Sequence, residues 1–220
     1  MKRIILKIAK KVNQLSRVFM GIEFVQRRYY KPFYLHKNQA GDGRSLSKYV
    51  DVIERHVDFK IQTFFEVGAN YCQDSAFVHR TYNLSKKNIY CFEPAKFIYD
   101  EIKDNGFRVF KLAVSDTEGE VKFRIAETDR TKLPANSGIS SIKRNRTEHV
   151  NEVSYELVQC IKLSTFVKEH GIEAIDYMKI DVEGNDYEVL TGLESDIAIV
   201  KIIQIECSRK PIFEGERTFD

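Results

Sequence analysis

Phe64-Phe65-Glu66-Val67-Gly68-Ala69-Asn70-Tyr71-Cys72-Gln73-Asp74-Ser75 is the stretch that decides the fold. The apolar run 63–67 stops at a glycine, and residues 73–83 then read as a helix. Strand, glycine turn and helix open a βαβ unit. The alternation continues downstream, with strand 88–92, helix 95–104 and strand 108–112. Residues 120–126 and 155–163 read as β segments around a polar insert. Helix 164–170, strand 175–180, helix 185–192 and strand 197–206 follow. Strands separated by helices of about ten residues imply parallel pairing and an α/β fold. The expected architecture is a Rossmann-like three-layer sandwich on a five-stranded core.

Outward from this core, composition sets the bounds. The 220 residues are 43% hydrophobic and 30% charged, enough for one domain with attachments and ordinary for a globular chain. No stretch approaches the ~18 uninterrupted apolar residues of a membrane span. Cys72, Cys91, Cys160 and Cys207 are scattered without a CxxC pair, which fits reduced thiols better than a zinc or disulfide framework. The net charge of +3 hides an asymmetry: residues 1–31 hold nine Lys or Arg against Glu23, and the body is acidic. Within that head Ile8, Val12, Leu15, Phe19 and Ile22 fall on one helical face, flanked by Lys7, Lys10, Lys11 and Arg17. Such a basic amphipathic helix suits self-association or docking on the body, contact with an anionic membrane surface through residues 4–25, or, least well supported, nucleic acid. Residues 30–44 read as a connector, and Ser45 as the N-cap of a helix through Val57.

In open α/β sheets ligands bind beyond the carboxyl ends of the strands. Gly68 follows the first strand and permits close backbone approach. Glu93-Pro94 follows the second, where an acid can accept hydrogen bonds from ribose hydroxyls. Val114-Ser115-Asp116 follows the third, where Asp116 is placed to read an adenine amino group. Asp181-Val182-Glu183-Gly184 follows the fourth. Each has a plain structural alternative: a tight turn at Gly68, a helix N-terminal charge at Glu93. Four such ends in order favour a nucleoside ligand. Neither GxGxxG nor GxxxxGK[ST] is present, so nothing cradles phosphates. A cofactor with ribose and adenine but no phosphate, S-adenosylmethionine, fits.

The chain resembles FkbM-type S-adenosylmethionine-dependent methyltransferases. The resemblance rests on FFEVGANYCQDS (64–75), CFEP (91–94), LAVSD (112–116) with GEVKF (119–123), SGISS (137–141) and, most specifically, IKLSTFVKEHGIEAIDYMKIDVEGNDYEVLTGLE (161–194). It implies that Glu66, Gly68, Ala69 and Asn70 line the methionine end of the cofactor, with Gln73 and Ser75 beside them. By the same resemblance Glu93, with Pro94, holds the ribose; Val114, Ser115 and Asp116 flank the adenine; and Asp181 and Glu183 face the transfer site. It further implies an O-methyltransferase acting on a hydroxyl of a sugar, glycan or related small molecule, with 131–142 as a substrate-side loop. The family has Gly where Cys72 stands, which puts a sulfur near the cofactor and strains the turn if φ is positive. A degenerate or truncated non-catalytic protein with a binding or assembly role is the alternative.

Residues 1–44 are then the basic helix and connector, and 45–220 the methyltransferase domain. That domain is expected to lack its last helix and antiparallel hairpin, because the chain stops at Asp220 just after the fifth strand. A cytoplasmic protein, peripheral at the inner face of the membrane if residues 4–25 bind there, is the expected location. No nucleic-acid partner is expected, since the chain lacks the [DN]PP[YF] tetrapeptide and its body is acidic. Asp181 and Glu183, two residues apart, would share one side if the strand continues that far, and either can serve as general base. In the structural alternative Asp181 bonds the first glycine turn and Glu183 caps the next helix. A Mg2+ ion is a third option, yet two carboxylates alone do not make a metal site, and none is expected. His79, His149 and His170 read as surface or structural residues.

Overall fold

The computed structural model describes residues 50, 53, 54, 57–128, 137–148 and 150–218. The first strand, β1 (Phe64–Val67), pairs in parallel with β2 (Ile89–Phe92) on one side and β7 (Tyr177–Ile180) on the other. Beyond β2 lies β3 (Arg108–Phe110), and beyond β7 lies β8 (Ile203–Ile205), giving the parallel order β3-β2-β1-β7-β8. The sheet therefore reverses direction of growth at β1, the topological switch where ligands sit in open α/β sheets.

Period-2 alternation divides the sheet between two cores. Phe64, Ile89, Cys91 and Tyr177 face one cluster with Ala76, Phe77 and Val78 of helix α1 (Gln73–Tyr82) and Ile98 and Ile102 of helix α2 (Lys96–Ile102). Phe65, Val67, Phe92, Met178 and Ile180 face the other, with Phe166 and Val167 of helix α3 (Leu163–Glu169) and Val189 of helix α4 (Asp186–Thr191). The Phe166 ring meets those of Phe92 and Phe110 edge-on at 4.7 and 4.9 Å, which seats α3 across the strands. Helices on both faces make the expected three layers.

A second sheet stands beside the first. The segments expected at 120–126 and 155–163 are a long antiparallel pair, β5 (Gly119–Thr128) and β6 (Val150–Ile161), with a register shift between Ile125 and Ala126. The short β4 (Ala113–Val114) joins β6 in parallel, giving the order β4-β6-β5. The strand expected at 197–206 is a correction. Only Ile203–Ile205 is strand, and Glu194–Ile199 forms a 3-10 turn instead. The run from Ile197 to Ile205 is apolar at nearly every position, so its periodicity gave no starting point.

The basic helix at 4–25, the connector at 30–44, the Ser45 cap and His149 lie outside the described residues, as does 129–136 of the insert. No helix among the described residues is long and apolar enough to cross a membrane.

Candidate functional site

The carboxyl ends of β1, β2, β4 and β7 surround a cavity of ≈ 290 Å³. Its floor depends on Gly68. That residue has φ +83°, and a Cβ there would stand 1.9 Å from the carbonyl oxygen of Asp181. Only glycine lets the end of β1 pass that close to the end of β7. The amides of Gly68 and Ala69 both donate to the Phe92 carbonyl, at 3.1 and 2.9 Å, and that of Asp181 donates to Val67 at 2.9 Å. Three strand ends are thereby locked around one turn.

Ten of the sequence-predicted residues line this cavity: Glu66, Gly68, Ala69, Asn70, Gln73, Glu93, Pro94, Val114, Asp181 and Glu183. Ser75, Ser115 and Asp116 do not line it. Ser75 is wholly buried behind the wall, where its amide (2.9 Å) and its hydroxyl both donate to Glu66. Ser115 is buried against the Asn185 amide at 3.1 Å and donates its hydroxyl to Asp116 at 3.2 Å. Apolar surface comes from Phe92, Leu112, Ala113, Phe123 and Ile142. Of the insert, Gly138, Ser140 and Ile142 reach the wall.

Glu93 combines two duties. One carboxylate oxygen accepts the Asn70 amide at 2.8 Å and the other the Ala95 amide at 2.9 Å, tying the first turn to the start of α2. Each oxygen keeps a free lone pair. Burial pushes the Glu93 carboxyl up to about 7, against the two amides that favour its charge. Burial, then the charge of Asp74, lifts Glu66 to about 8.

At the β7 end the charges are unequal. Lys179 is buried, and its ammonium lies 2.8 Å from both Asp74 and Asp181. Burial works against the charge of Asp181, but Lys179 outweighs it and holds that carboxyl below its ordinary range. Glu183 goes the other way: burial, then Asp181, Glu206 and Asp186, push it up to about 9. The strand ends at Ile180, so the expected strand alternation does not align this pair. A turn does so instead, with Glu183 at φ 56°, and Glu206 beyond β8 brings a third carboxylate oxygen within 4.8 Å of theirs. Glu183 does not cap the next helix, whose N-cap position is Asn185 with no side-chain cap bond; Asp186 instead ties the turn, its carboxylate accepting the amides of Val182 (3.1 Å) and Gly184 (3.0 Å).

Cys72 takes φ 57°, the left-handed conformation glycine favours, as its position before α1 requires. Its expected bulk beside the cofactor is corrected, however. The side chain is fully buried in the first core and is not among the cavity walls. His79 and His170 are structural: their rings bond the carbonyls of Leu84 (2.6 Å) and Phe166 (2.9 Å).

Sequence reasoning missed Asp74, Lys179, Asn185 and Glu206. Only the register of the sheet, which places Lys179 opposite Glu66, reveals the buried charges.

The family model described as the methyltransferase FkbM domain matches residues 66–220. A 2-O-methyltransferase (NoeI) of Sinorhizobium fredii is 25% identical over 157 residues, covering 66% of this chain. The methyltransferase sdnD of Sordaria araneosa is 27% identical over 161 residues, 60% of this chain. A hexuronic acid methyltransferase (AglP) of Haloferax volcanii is 23% identical over 128 residues, 56% of this chain. The chain spans 64%, 60% and 48% of the lengths of these relatives. No solved structure matches it.

Proposed function

The chain belongs to the FkbM methyltransferase family, and on that premise we propose that it transfers a methyl group from S-adenosylmethionine to a hydroxyl of a sugar, glycan or related small molecule. The observation that carries the reading is one cavity that joins Glu93, with a free lone pair on each oxygen, to the Asp181–Glu183 turn.

The walls fit such a cofactor. Five carboxyl groups, those of Glu66, Asp74, Glu93, Asp181 and Glu183, and one amine, Lys179, line the cavity; the ammonium is already matched by Asp74 and Asp181, which leaves no spare cation for a phosphate and acceptors for an α-ammonium. Glu93 holds the ribose hydroxyls, Phe92, Leu112 and Val114 pack on the adenine, and Glu66 and Asn70 take the methionine end. Ser75, Ser115 and Asp116 act from behind the wall, holding Glu66 and the β4 end in place. When bound, the cofactor supplies an electrophilic methyl group. Asp181, kept ionised by Lys179, accepts the proton of the acceptor hydroxyl, a contribution of roughly 10²–10⁴ in rate. Glu183, neutral at pH 7, donates a hydrogen bond to the acceptor. Orientation of the hydroxyl within the turn supplies much of the remainder.

The ground for a non-catalytic reading is weakened, since Cys72 adds its sulfur to the core rather than to the cavity. Calorimetry with S-adenosylmethionine, followed by transfer of its labelled methyl group to a glycan extract, tests the proposal. An alkali-stable methyl ether on the acceptor is the expected product. Absence of cofactor binding sinks the reading.

A further inference from the structure

Lys179 is the cation among the residues that line the cavity, and its place is unusual. It sits in the middle of a parallel sheet, opposite Glu66, and these two are the charged residues of the central strands β1 and β7. A buried ammonium is costly unless its charge is matched. Here it is matched twice, by Asp74 from α1 and by Asp181 from the turn after β7, each at 2.8 Å. One of these carboxylates belongs to the helix that follows the glycine turn, the other to the transfer end of the cavity.

Resting on the function proposed above, we infer that Lys179 is the positioning residue of this site: its shared ammonium fixes the Asp181 carboxylate at the transfer end and ties it to the helix carrying the cofactor turn. Asp181 is bonded through one oxygen to Lys179 at 2.8 Å, and its carboxylate also meets the carboxyl of Glu206. The groups facing Asp181 are Lys179 from β7, Glu183 and Asp186 from the following turn and helix, and Glu206 from beyond β8. Asp74 and Glu66 face Lys179 from α1 and β1. Lys179 is the one cation in this group. Without it Asp181 loses the opposite charge that offsets its burial, and its carboxyl titrates higher.

The test reads Asp181 directly, in protein labelled with 13C at the aspartate carboxyl carbons and with its resonance assigned by Asp181→Asn. In Lys179→Met the midpoint of Asp181 is expected to rise by about two pH units, the shift one close opposite charge produces. In Lys179→Arg it is expected to stay near the wild-type value. In Asp74→Asn, which leaves the ammonium undivided, it is expected to fall or stay low, and this variant serves if Lys179→Met does not fold. An Asp181 midpoint unmoved in Lys179→Met, or raised in Asp74→Asn, overturns the inference. Calorimetry with S-adenosylhomocysteine on wild-type protein separates the two questions: no binding there refutes the cofactor reading, whatever Asp181 does.

Discussion

Replacing Gly68 with alanine puts the central geometric claim at risk. The added Cβ would lie 1.9 Å from the Asp181 oxygen and 2.8 Å from its carbonyl carbon, far inside ordinary contact. Backbone cannot swing aside as a flexible side chain can, so the ends of β1 and β7 must part by about an ångström or more. That opens the 2.9 Å bond from Asp181 to Val67. A lost backbone hydrogen bond at a buried site costs about 1–3 kcal/mol. The left-handed conformation adds about 1–2 kcal/mol for an L residue. Reduced freedom of the unfolded chain returns roughly 0.4–1 kcal/mol. The net loss is about 1–5 kcal/mol, which for a domain of this size lowers the melting temperature by roughly 2–20 °C. Gly171 is the matched control. It has φ +60° and nothing within 4 Å of its Cβ position, so Gly171→Ala meets only the conformational cost. A fall of about 2–4 °C is expected there. Thermal unfolding by circular dichroism, with S-adenosylmethionine calorimetry on both variants, gives the comparison. Cofactor affinity should fall at least about tenfold in the Gly68 variant, since Asn70 and Asp181 move with their strand ends, and stay unchanged in the control. If Gly68→Ala melts no lower than Gly171→Ala, the close approach of β1 and β7 is not what demands the glycine, and the reasoning fails.

Glu93→Gln keeps one oxygen acceptor and one amide tie but loses the charge, so cofactor binding should weaken by about 10–100-fold, read by the same calorimetry. Asp181→Asn should lower turnover on a methylatable glycan extract by roughly 10²–10⁴ while cofactor affinity holds within about threefold; equal loss of both would remove Asp181 from the proton-transfer role. Glu66, Glu93 and Glu183 are held at about 8, 7 and 9 in the folded protein, above the ordinary 4.5. The folded state therefore binds more protons than the unfolded one, and the stability these groups contribute is full below pH 4.5 and drains as pH rises through their folded values. Each group lowers stability by about 1.4 kcal/mol per pH unit within its window, so urea midpoints should fall from pH 6 to pH 9; a rising midpoint contradicts the assignment.

The sheet was legible because its central strands are buried on both faces and bounded by turn residues, as in 64–67 before Gly68. The cavity was legible for the same reason: a glycine and an acid stand directly after such strands, and both line it. What escaped depended on register or on distant pairing. Lys179 reads as one polar position in an apolar strand until β7 is laid beside β1 and Glu66 appears opposite. Ser115 and Asp116 sit at the right strand end, but a partner 70 residues away, Asn185, draws the serine hydroxyl off the cavity. Glu206 reads as the last residue of an expected strand at 197–206, and only the structure brings it to the carboxylates of Asp181 and Glu183. The structural and functional readings of Gly68 and Glu93 are compatible, since each residue fixes a turn and also lines the cavity. At the ends of β1, β2 and β7 the cavity wall is made largely by the turns that end those strands. The glycine that lets β1 touch β7 also bares the backbone to a ligand, and the glutamate that ties two turns together leaves its spare lone pairs beside the opening. A residue in such a place is under both demands at once, so substitutions there should disturb folding and binding together, whereas Asp181, held by a side chain rather than by the turn it sits on, should be separable.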